Sequence, residues 1–185
     1  MAMKIKTLLL ALALLVPNLA IADDILNPQT NQSALTINKG QLPGTTTNDN
    51  ASSGNVGQLI SSNIVSGSSV SLTTATPLDI TTISLPPGDY DVQGACTTNP
   101  NGSTTTSVFI CSISTTLNTL NTTPSDSSGF GLNNTAQPAG GAQTIVTDTA
   151  RFSLSVATTI HLVTQASFAV STMGAYGKLR ARRVR

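Results

Sequence analysis

The chain has 185 residues and carries charge on only 9% of them, well below the roughly 25% typical of globular domains. Its polar residues are mainly threonine, serine, asparagine and glutamine, and it contains no glutamate and no tryptophan. Helices need glutamate, lysine and alanine in quantity, whereas threonine favours half-buried strands. The composition therefore argues against an ordinary helical enzyme and predicts an all-β secreted or surface protein.

The first 22 residues have the features of a secretory leader. Lys4 and Lys6 precede an uncharged run over residues 7–16, Pro17 follows, and residues 20–22 (AIA) are of the kind that a signal peptidase recognises. The alternative is a membrane anchor, but this stretch is shorter than the roughly 20 apolar residues that span a bilayer. We therefore predict a signal peptide over residues 1–22 and no transmembrane segment after its removal. The product would be secreted, periplasmic, at the cell surface or virion-associated.

Residues 23–68 form a low-complexity segment rich in Asn, Ser, Thr and Gly, in which no helical period persists. We predict a linker or docking arm here. Toward its end, apolar residues mark where the chain begins to pack, as a first strand or a short helical turn; they are Val56, Leu59, Ile60, Ile64 and Val65. The compact domain is predicted over residues 69–185.

From residue 69 onward, apolar residues alternate with polar ones, which is the period of half-buried β-strands. Alternating runs occupy residues 70–72, 80–85, 90–94, 108–113, 151–156 and 160–170. A turn at residues 86–88 (PPG) separates two of them. This pattern predicts an all-β, jelly-roll-like β-sandwich of seven or eight strands with an extended N-terminal arm. A closed up-and-down barrel is the alternative.

Strand periodicity is lost between residues 116 and 148, where Asn, Pro, Ser and Gly are frequent. A loop of this length in a compact domain is uncommon and is often functional. We expect it at one end of the sandwich, either as a recognition surface or as a surface excursion without a partner. Its candidate recognition residues are Asn121, Asp126, Phe130, Asn133 and Asn134.

Cys96 and Cys111 flank the turn-forming residues 99–102. An antiparallel hairpin centred between Ser103 and Thr104 would put the two cysteines opposite each other. In an exported chain, this placement predicts a disulfide rather than two free thiols.

Basic residues cluster at the end of the chain, where the last eight residues hold five of the nine positive charges. Such a cluster suits an acidic partner or a phosphate-rich surface. Alternatively, it marks an edge or final strand whose charges prevent pairing with another molecule. The residues concerned are Lys178, Arg180, Arg182, Arg183 and Arg185.

No catalytic, cofactor-binding or metal site is predicted. The single histidine, His161, lies in an alternating strand, where it is expected to face solvent or a neighbouring subunit, and no nucleophile motif accompanies it. Two cysteines and one histidine are too few for a four-ligand metal site. Asp89 and Asp91 point to one strand face and could act as paired carboxylates or bind calcium, but their position after residues 86–88 is typical of a turn and strand start.

Several strings resemble a module that recurs near the C-terminus of tailed-phage and prophage tail-fibre or virion structural proteins. They cover about residues 44–185 and occur in the order PGTTTNDNASSGNVGQLI, SLTTATPLDITTISLPPGDYDVQG, CSISTT, TIHLVTQASFAVST and AYGKLRARRVR. The resemblance implies a fibre or spike component, a trimer of β-sandwiches, that binds a host-surface glycan or decorates a virion. It implies no catalytic residues. The leader departs from this pattern, and the cysteine pair suits an oxidising compartment better than the cytoplasm.

Three functional hypotheses remain. The leading one is a non-enzymatic, phage-derived fibre or virion-type module for adhesion or glycan binding. The alternative is an assembly or decoration subunit that contacts only protein partners, through residues 23–68 or the basic tail. The third is a glycan-cleaving enzyme that uses Asp89, Asp91 or Asp148.

We also expect a homo-oligomer, specifically a trimer, and no nucleic-acid partner. The contact between subunits is predicted on the outward face of residues 160–171, which includes Val163 and Ala169.

Overall fold

The computed structural model describes residues 48–123, 125 and 128–185. The predicted signal peptide and residues 23–47 of the predicted arm lie outside the described residues. The compact unit begins at Asp49, so residues 49–68 belong to the domain. The described part of the chain forms one short 3-10 helix (Ser66–Ser68) and ten strands, which confirms the all-β prediction. The strands are β1 (Leu59–Ile64), β2 (Val70–Ser71), β3 (Leu78–Leu85), β4 (Gly88–Pro100), β5 (Thr105–Ser114), β6 (Phe130–Asn133), β7 (Thr144–Val146), β8 (Ala150–Leu154), β9 (Thr158–Ala169) and β10 (Met173–Arg183).

The strands form two antiparallel sheets, consistent with a β-sandwich. Sheet 1 has the order β1-β10-β4-β7, with β2 also paired to β10 and β8 also paired to β4. Sheet 2 has the order β3-β9-β5-β6. β10 is thus flanked on both sides, by β4 and by β1 with β2. The basic segment therefore lies on a central strand and not at the edge of a sheet.

The core lies between the inward faces of the two sheets. Leu179 and Ala181 of β10 are fully buried, as are Ile160 and Leu162 of β9. These residues belong to one continuous apolar cluster with residues of β3, β4, β5 and β8. Full burial of each large aliphatic side chain stabilises the fold by about 1.5–3 kcal/mol, so this alternating pattern fixes which face of each strand points inward.

The predicted disulfide between Cys96 and Cys111 is present, but its setting differs from the prediction. The two residues are on strands joined by a short connection, yet β4 belongs to sheet 1 and β5 to sheet 2. The bond therefore ties the two sheets together across the core instead of joining the partners of one hairpin. Equal spacing on either side of a turn brings two cysteines together in both arrangements, so the sequence could not distinguish them.

Residues 116–148 do not form a single loop at one end of the sandwich, because they include β6 and β7. Neither strand is among the alternating runs, and the described strands number ten where seven or eight are predicted. β6 and β7 are each at most four residues long, and β6 contains Gly131, which in a sequence resembles a turn signal. A Cβ at Gly131 would lie 2.4 Å from Ile145 Cγ2, so glycine is needed here for the close approach of β7.

Residues 115–123 pass over the outer face of sheet 2. The buried Ser112 hydroxyl donates a hydrogen bond to the Asn121 carbonyl (3.0 Å) and accepts one from its N–H (2.9 Å). Val163, the cross-strand partner of Ser112, is fully buried. The predicted subunit contact at Val163 is therefore wrong, whereas Ala169 of the same face is exposed.

Removal of the disulfide in the double variant C96A/C111A should lower the free energy of unfolding by about 3 kcal/mol. The bond joins residues 15 positions apart and restricts the unfolded chain accordingly. Urea denaturation measures the loss, and reduction of the wild-type protein with dithiothreitol should produce a similar one. A double variant as stable as the oxidised protein would contradict this account of the sheet-to-sheet link.

Candidate binding face

Three basic side chains form a row on the outer face of β10. Lys178, Arg180 and Arg182 are exposed, and the residues between them, Leu179 and Ala181, are buried. This arrangement follows from the period of two in a strand, which sends successive side chains to opposite faces. Because β10 is paired on both sides, the row is held on a rigid element.

The neighbouring strands place polar and small side chains beside this row. On β4 the facing pairs are Lys178–Ala95, Arg180–Gln93 and Arg182–Asp91. On the other side, β1 places Ser61 opposite Arg180 and Leu59 opposite Arg182. Arg180 donates a hydrogen bond to the side-chain oxygen of Gln93, which fixes the orientation of both groups.

The outward side chains border a shallow groove with two adjoining depressions. One has a volume of about 370 Å³ and the other about 140 Å³. Gln93 and Arg180 line both depressions, so the two depressions adjoin at this hydrogen-bonded pair. We call this surface the basic face; its side chains are those of Leu59, Asp91, Gln93, Ala95, Val146, Thr149, Lys178, Arg180 and Arg182.

Positive charge dominates the basic face. Within the described residues, Asp89 forms ion pairs with Arg151 and Arg185, and no ion pair involves Lys178, Arg180 or Arg182. Asp91 is the one carboxylate that lines the two depressions, opposite Arg182 on one side and Arg151 on the other. Three cations against one carboxylate leave an excess of two positive charges in the groove, a field that attracts anions.

Asp89, in contrast, is neutralised by its surroundings at one end of sheet 1. Its carboxylate accepts a hydrogen bond from Arg185 Nε (2.6 Å) and lies 3.6 Å from Arg151 Nη2. Ser153, directly opposite on β8, and the Arg185 guanidinium together hold the pKa of Asp89 below its usual value. Asp89 therefore serves as an anchor for the chain end and does not form a free pair with Asp91.

Arg183 does not belong to the basic face, because it points inward. Its Nη2 donates hydrogen bonds to the Pro87 carbonyl (2.8 Å) and to the Tyr90 hydroxyl (2.6 Å), and its guanidinium lies 4.8 Å from the centre of the Tyr90 ring. Gly88, at φ +147, makes room for this group, since a Cβ there would lie 2.3 Å from Arg183 Nη1. Of the five basic residues of the tail, three are thus exposed on the basic face, Arg183 is buried, and Arg185 pairs with Asp89.

His161 is buried, whereas the sequence predicts that it faces solvent or a neighbouring subunit. Its Nδ1 hydrogen-bonds Asp79 Oδ2, and the other carboxylate oxygen accepts the N–H of Asn118 (2.8 Å). The cross-strand neighbour of His161 is Ser114, whose hydroxyl accepts the N–H of Thr116 (3.0 Å). These hydrogen bonds connect β3 and β9 to residues 116–118.

The candidate recognition residues do not converge on one site. Asn121 and Phe130 are both neighbours of Ser112, on the outer face of sheet 2. Asn133 lies at the far end of β6, where its side chain donates a hydrogen bond to Gln143 Oε1 (2.7 Å), and Asn134 is exposed next to it. Asp126 lies outside the described residues.

Sequence reasoning did not assign Gln93, Thr149 or Leu59 to a site with the basic residues. Gln93 was correctly assigned to the alternating run of β4, but it is 87 positions away from its partner Arg180. No local pattern indicates that two strands so far apart pair with each other, because the register depends on the whole sandwich. The alternation of the tail itself could have separated Arg183 from the three surface cations.

The chain matches no protein-family model and no curated protein. No helix in the described part of the chain is long and apolar enough to cross a membrane. Over the same residues, no group of three or more His, Cys, Asp or Glu side chains is placed to hold a metal ion. The chemistry that the described residues do support is the binding of an anionic or hydrogen-bonding ligand on the basic face.

Asp89 should make the stability of the domain depend on acid. Because its pKa is lowered in the folded state, its contribution is complete above the unfolded pKa of about 3.9 and is lost as the pH falls through the folded value. Thermal unfolding of the wild type and of Asp89→Asn, followed from pH 6 to pH 2, should give curves that differ near neutrality and converge in acid. In the wild-type background, Ser153→Ala should reduce the stability difference from Asp89→Asn near neutral pH. Curves of wild type and Asp89→Asn that stay parallel from pH 6 to pH 2 would contradict the lowered pKa of Asp89.

Proposed function

We propose that this protein is a non-enzymatic module of fibre or virion type, phage-derived, that adheres to host surfaces by binding a glycan on the basic face. One observation supports this proposal above the others: an open groove of two adjoining depressions lies on a central strand, and amide, hydroxyl, ammonium and guanidinium groups line it beside a few apolar side chains. Glycans offer many hydroxyls, which such groups recognise by hydrogen bonding. The resemblance of several ordered strings to tail-fibre modules, noted from the sequence, is the reason for proposing a fibre or virion type.

The proposal includes a jelly-roll topology. In favour of it, the first and last strands, β1 and β10, are neighbours in sheet 1, and the chain crosses repeatedly between the sheets. If β2 is counted with β1 and β8 with β7, each sheet has four principal strands, β1-β10-β4-β7 and β3-β9-β5-β6. An eight-stranded pair of four-stranded sheets is the arrangement of a jelly roll.

Export and trimerisation are also part of the proposal. A disulfide across the core suits an oxidising compartment, in agreement with the leader predicted over residues 1–22.

Subunit contacts of a trimer could form on exposed apolar side chains outside the basic face. Val156 is 67% exposed and Val170 is 78% exposed. Light scattering of the native exported protein should give three times the mass of one chain, and a monomer would remove the trimer from the proposal.

A second function has an observation of its own. Leu59 and Val146 are 38% and 55% exposed and border the groove on opposite sides. Apolar side chains at the edge of a charged groove suit a protein partner as well, so an assembly or decoration subunit is the competing proposal.

Glycan binding is tested with purified bacterial envelope polysaccharides immobilised for interferometry. We expect saturable binding by the wild type and weaker binding by Gln93→Ala, because the Gln93 amide is the uncharged polar group that lines both depressions. The matched control is Asn101→Ala, which removes an exposed amide from the turn between β4 and β5 and should bind as the wild type does.

The absence of saturable binding to any polysaccharide would overturn the glycan proposal and favour the assembly subunit. Release of new reducing ends during the incubation would instead contradict the non-enzymatic part. Equal loss of binding in Gln93→Ala and Asn101→Ala would show that the basic face is not the site.

A further inference from the structure

The charge pattern of the basic face narrows the ligand class. Lys178, Arg180 and Arg182 are two residues apart along one strand, which spaces their attachment points by about 7 Å. Their three side chains are all exposed, and in the described residues none of them has an ion-pair partner. The result is a straight row of regularly spaced cations.

The three cations of this row repel one another, because they lie about 7 Å apart on one strand face. Among the described residues that line the two depressions, only Asp91, at one end, carries the opposite charge. The opposite ends of the groove differ, since Lys178 faces Ala95 and lies near Val146. A ligand with several negative charges would relieve the repulsion along the whole row at once.

We propose that the basic face binds an anionic polysaccharide, a polymer with carboxylate or sulfate groups, laid along β10. Lys178, Arg180 and Arg182 pair with successive anionic groups, and Gln93 and Thr149 hydrogen-bond the sugar hydroxyls between them. Arginine is suited to this role because its planar guanidinium bonds carboxylate and sulfate oxygens in pairs. The inference rests on the proposed function and specifies its ligand.

Other occupants fit the charge pattern less well. A second copy docked through the same face would bring two rows of three cations together, so the face disfavours its own association. Sites for single-stranded nucleic acid combine basic grooves with several aromatic side chains for base stacking. The outward side chains of β4 and β10 include one aromatic residue, Tyr176, which lies beyond the groove lining.

The test compares four probes: polygalacturonate, dextran sulfate, neutral dextran and an oligothymidylate. The variant K178Q/R180Q/R182Q removes three positive charges from the basic face. The control variant S107E/L132E/T159E changes the net charge by the same amount at exposed positions of sheet 2. Wild type and control should bind the two charged polymers, and the glutamine variant should bind them about a hundredfold more weakly.

A salt titration supplies a second measurement that does not depend on a variant. Raising sodium chloride from about 0.1 M to about 1 M shortens the screening length from about 10 Å to about 3 Å. Binding of the wild type to polygalacturonate should weaken strongly over this range. A circular dichroism melt of each variant checks that the fold is retained.

The outcomes separate this inference from the proposed function. If neutral dextran binds as tightly as the charged polymers and the glutamine variant is unaffected, glycan binding stands and the anionic class is wrong. If no polysaccharide binds, the proposed function itself fails. Equal losses of binding in the glutamine variant and the control would show that only the net charge of the protein matters, and would overturn the inference. Tighter binding of an oligothymidylate than of either charged polymer would assign the face to nucleic acid and would also overturn it.

Discussion

The register of β10 against β4 is the constraint on which the rest of this structure depends. The two strands pair over eleven positions, from Met173 opposite Pro100 to Arg183 opposite Tyr90. A slip of one residue would turn Leu179 and Ala181 outward and drive Lys178, Arg180 and Arg182 into the core. Burying unpaired charges costs far more than exposing two apolar side chains, so the same alternation that builds the core also sets the cations in a row on the surface.

The end of β10 shows how the fold accommodates a charge that does point inward. Arg183 is compensated by the Pro87 carbonyl, the Tyr90 hydroxyl and the Tyr90 ring, with Gly88 leaving space for the guanidinium. Carbonyl, hydroxyl and aromatic groups stabilise this buried cation, and removing any one of them would leave part of its charge without a partner. Next to it, Asp89 binds Arg185, so this corner fastens the last strand to the start of β4. The basic tail therefore has a structural part and a surface part, which its composition alone does not separate.

Features set by short-range rules could be predicted from the sequence, and features set by long-range packing could not. The alternation of β3, β4, β5 and β9 and the pairing of Cys96 with Cys111 depend on local period and on the distance along the chain. The assignment of β4 and β5 to different sheets does not depend on local period, because the same turn permits either a hairpin within one sheet or a crossover between two sheets. β6 and β7 escaped prediction since a strand of three or four residues is too short to display a period. Val163 was expected outside because alternation says which face a side chain takes but not whether another segment covers that face.

The same limit applies to the candidate site. The cations were visible in the sequence, whereas their neighbours Gln93 and Thr149 became part of the site only through strand pairing. The most direct test of the account is the reactivity of individual arginines toward phenylglyoxal in the folded protein, located by fragmentation mass spectrometry. We expect Arg180 and Arg182 to be modified quickly and Arg183 to be protected until the domain unfolds. Equal reactivity of Arg183 and Arg180 in the native state would contradict the register of β10 and, with it, the basic face.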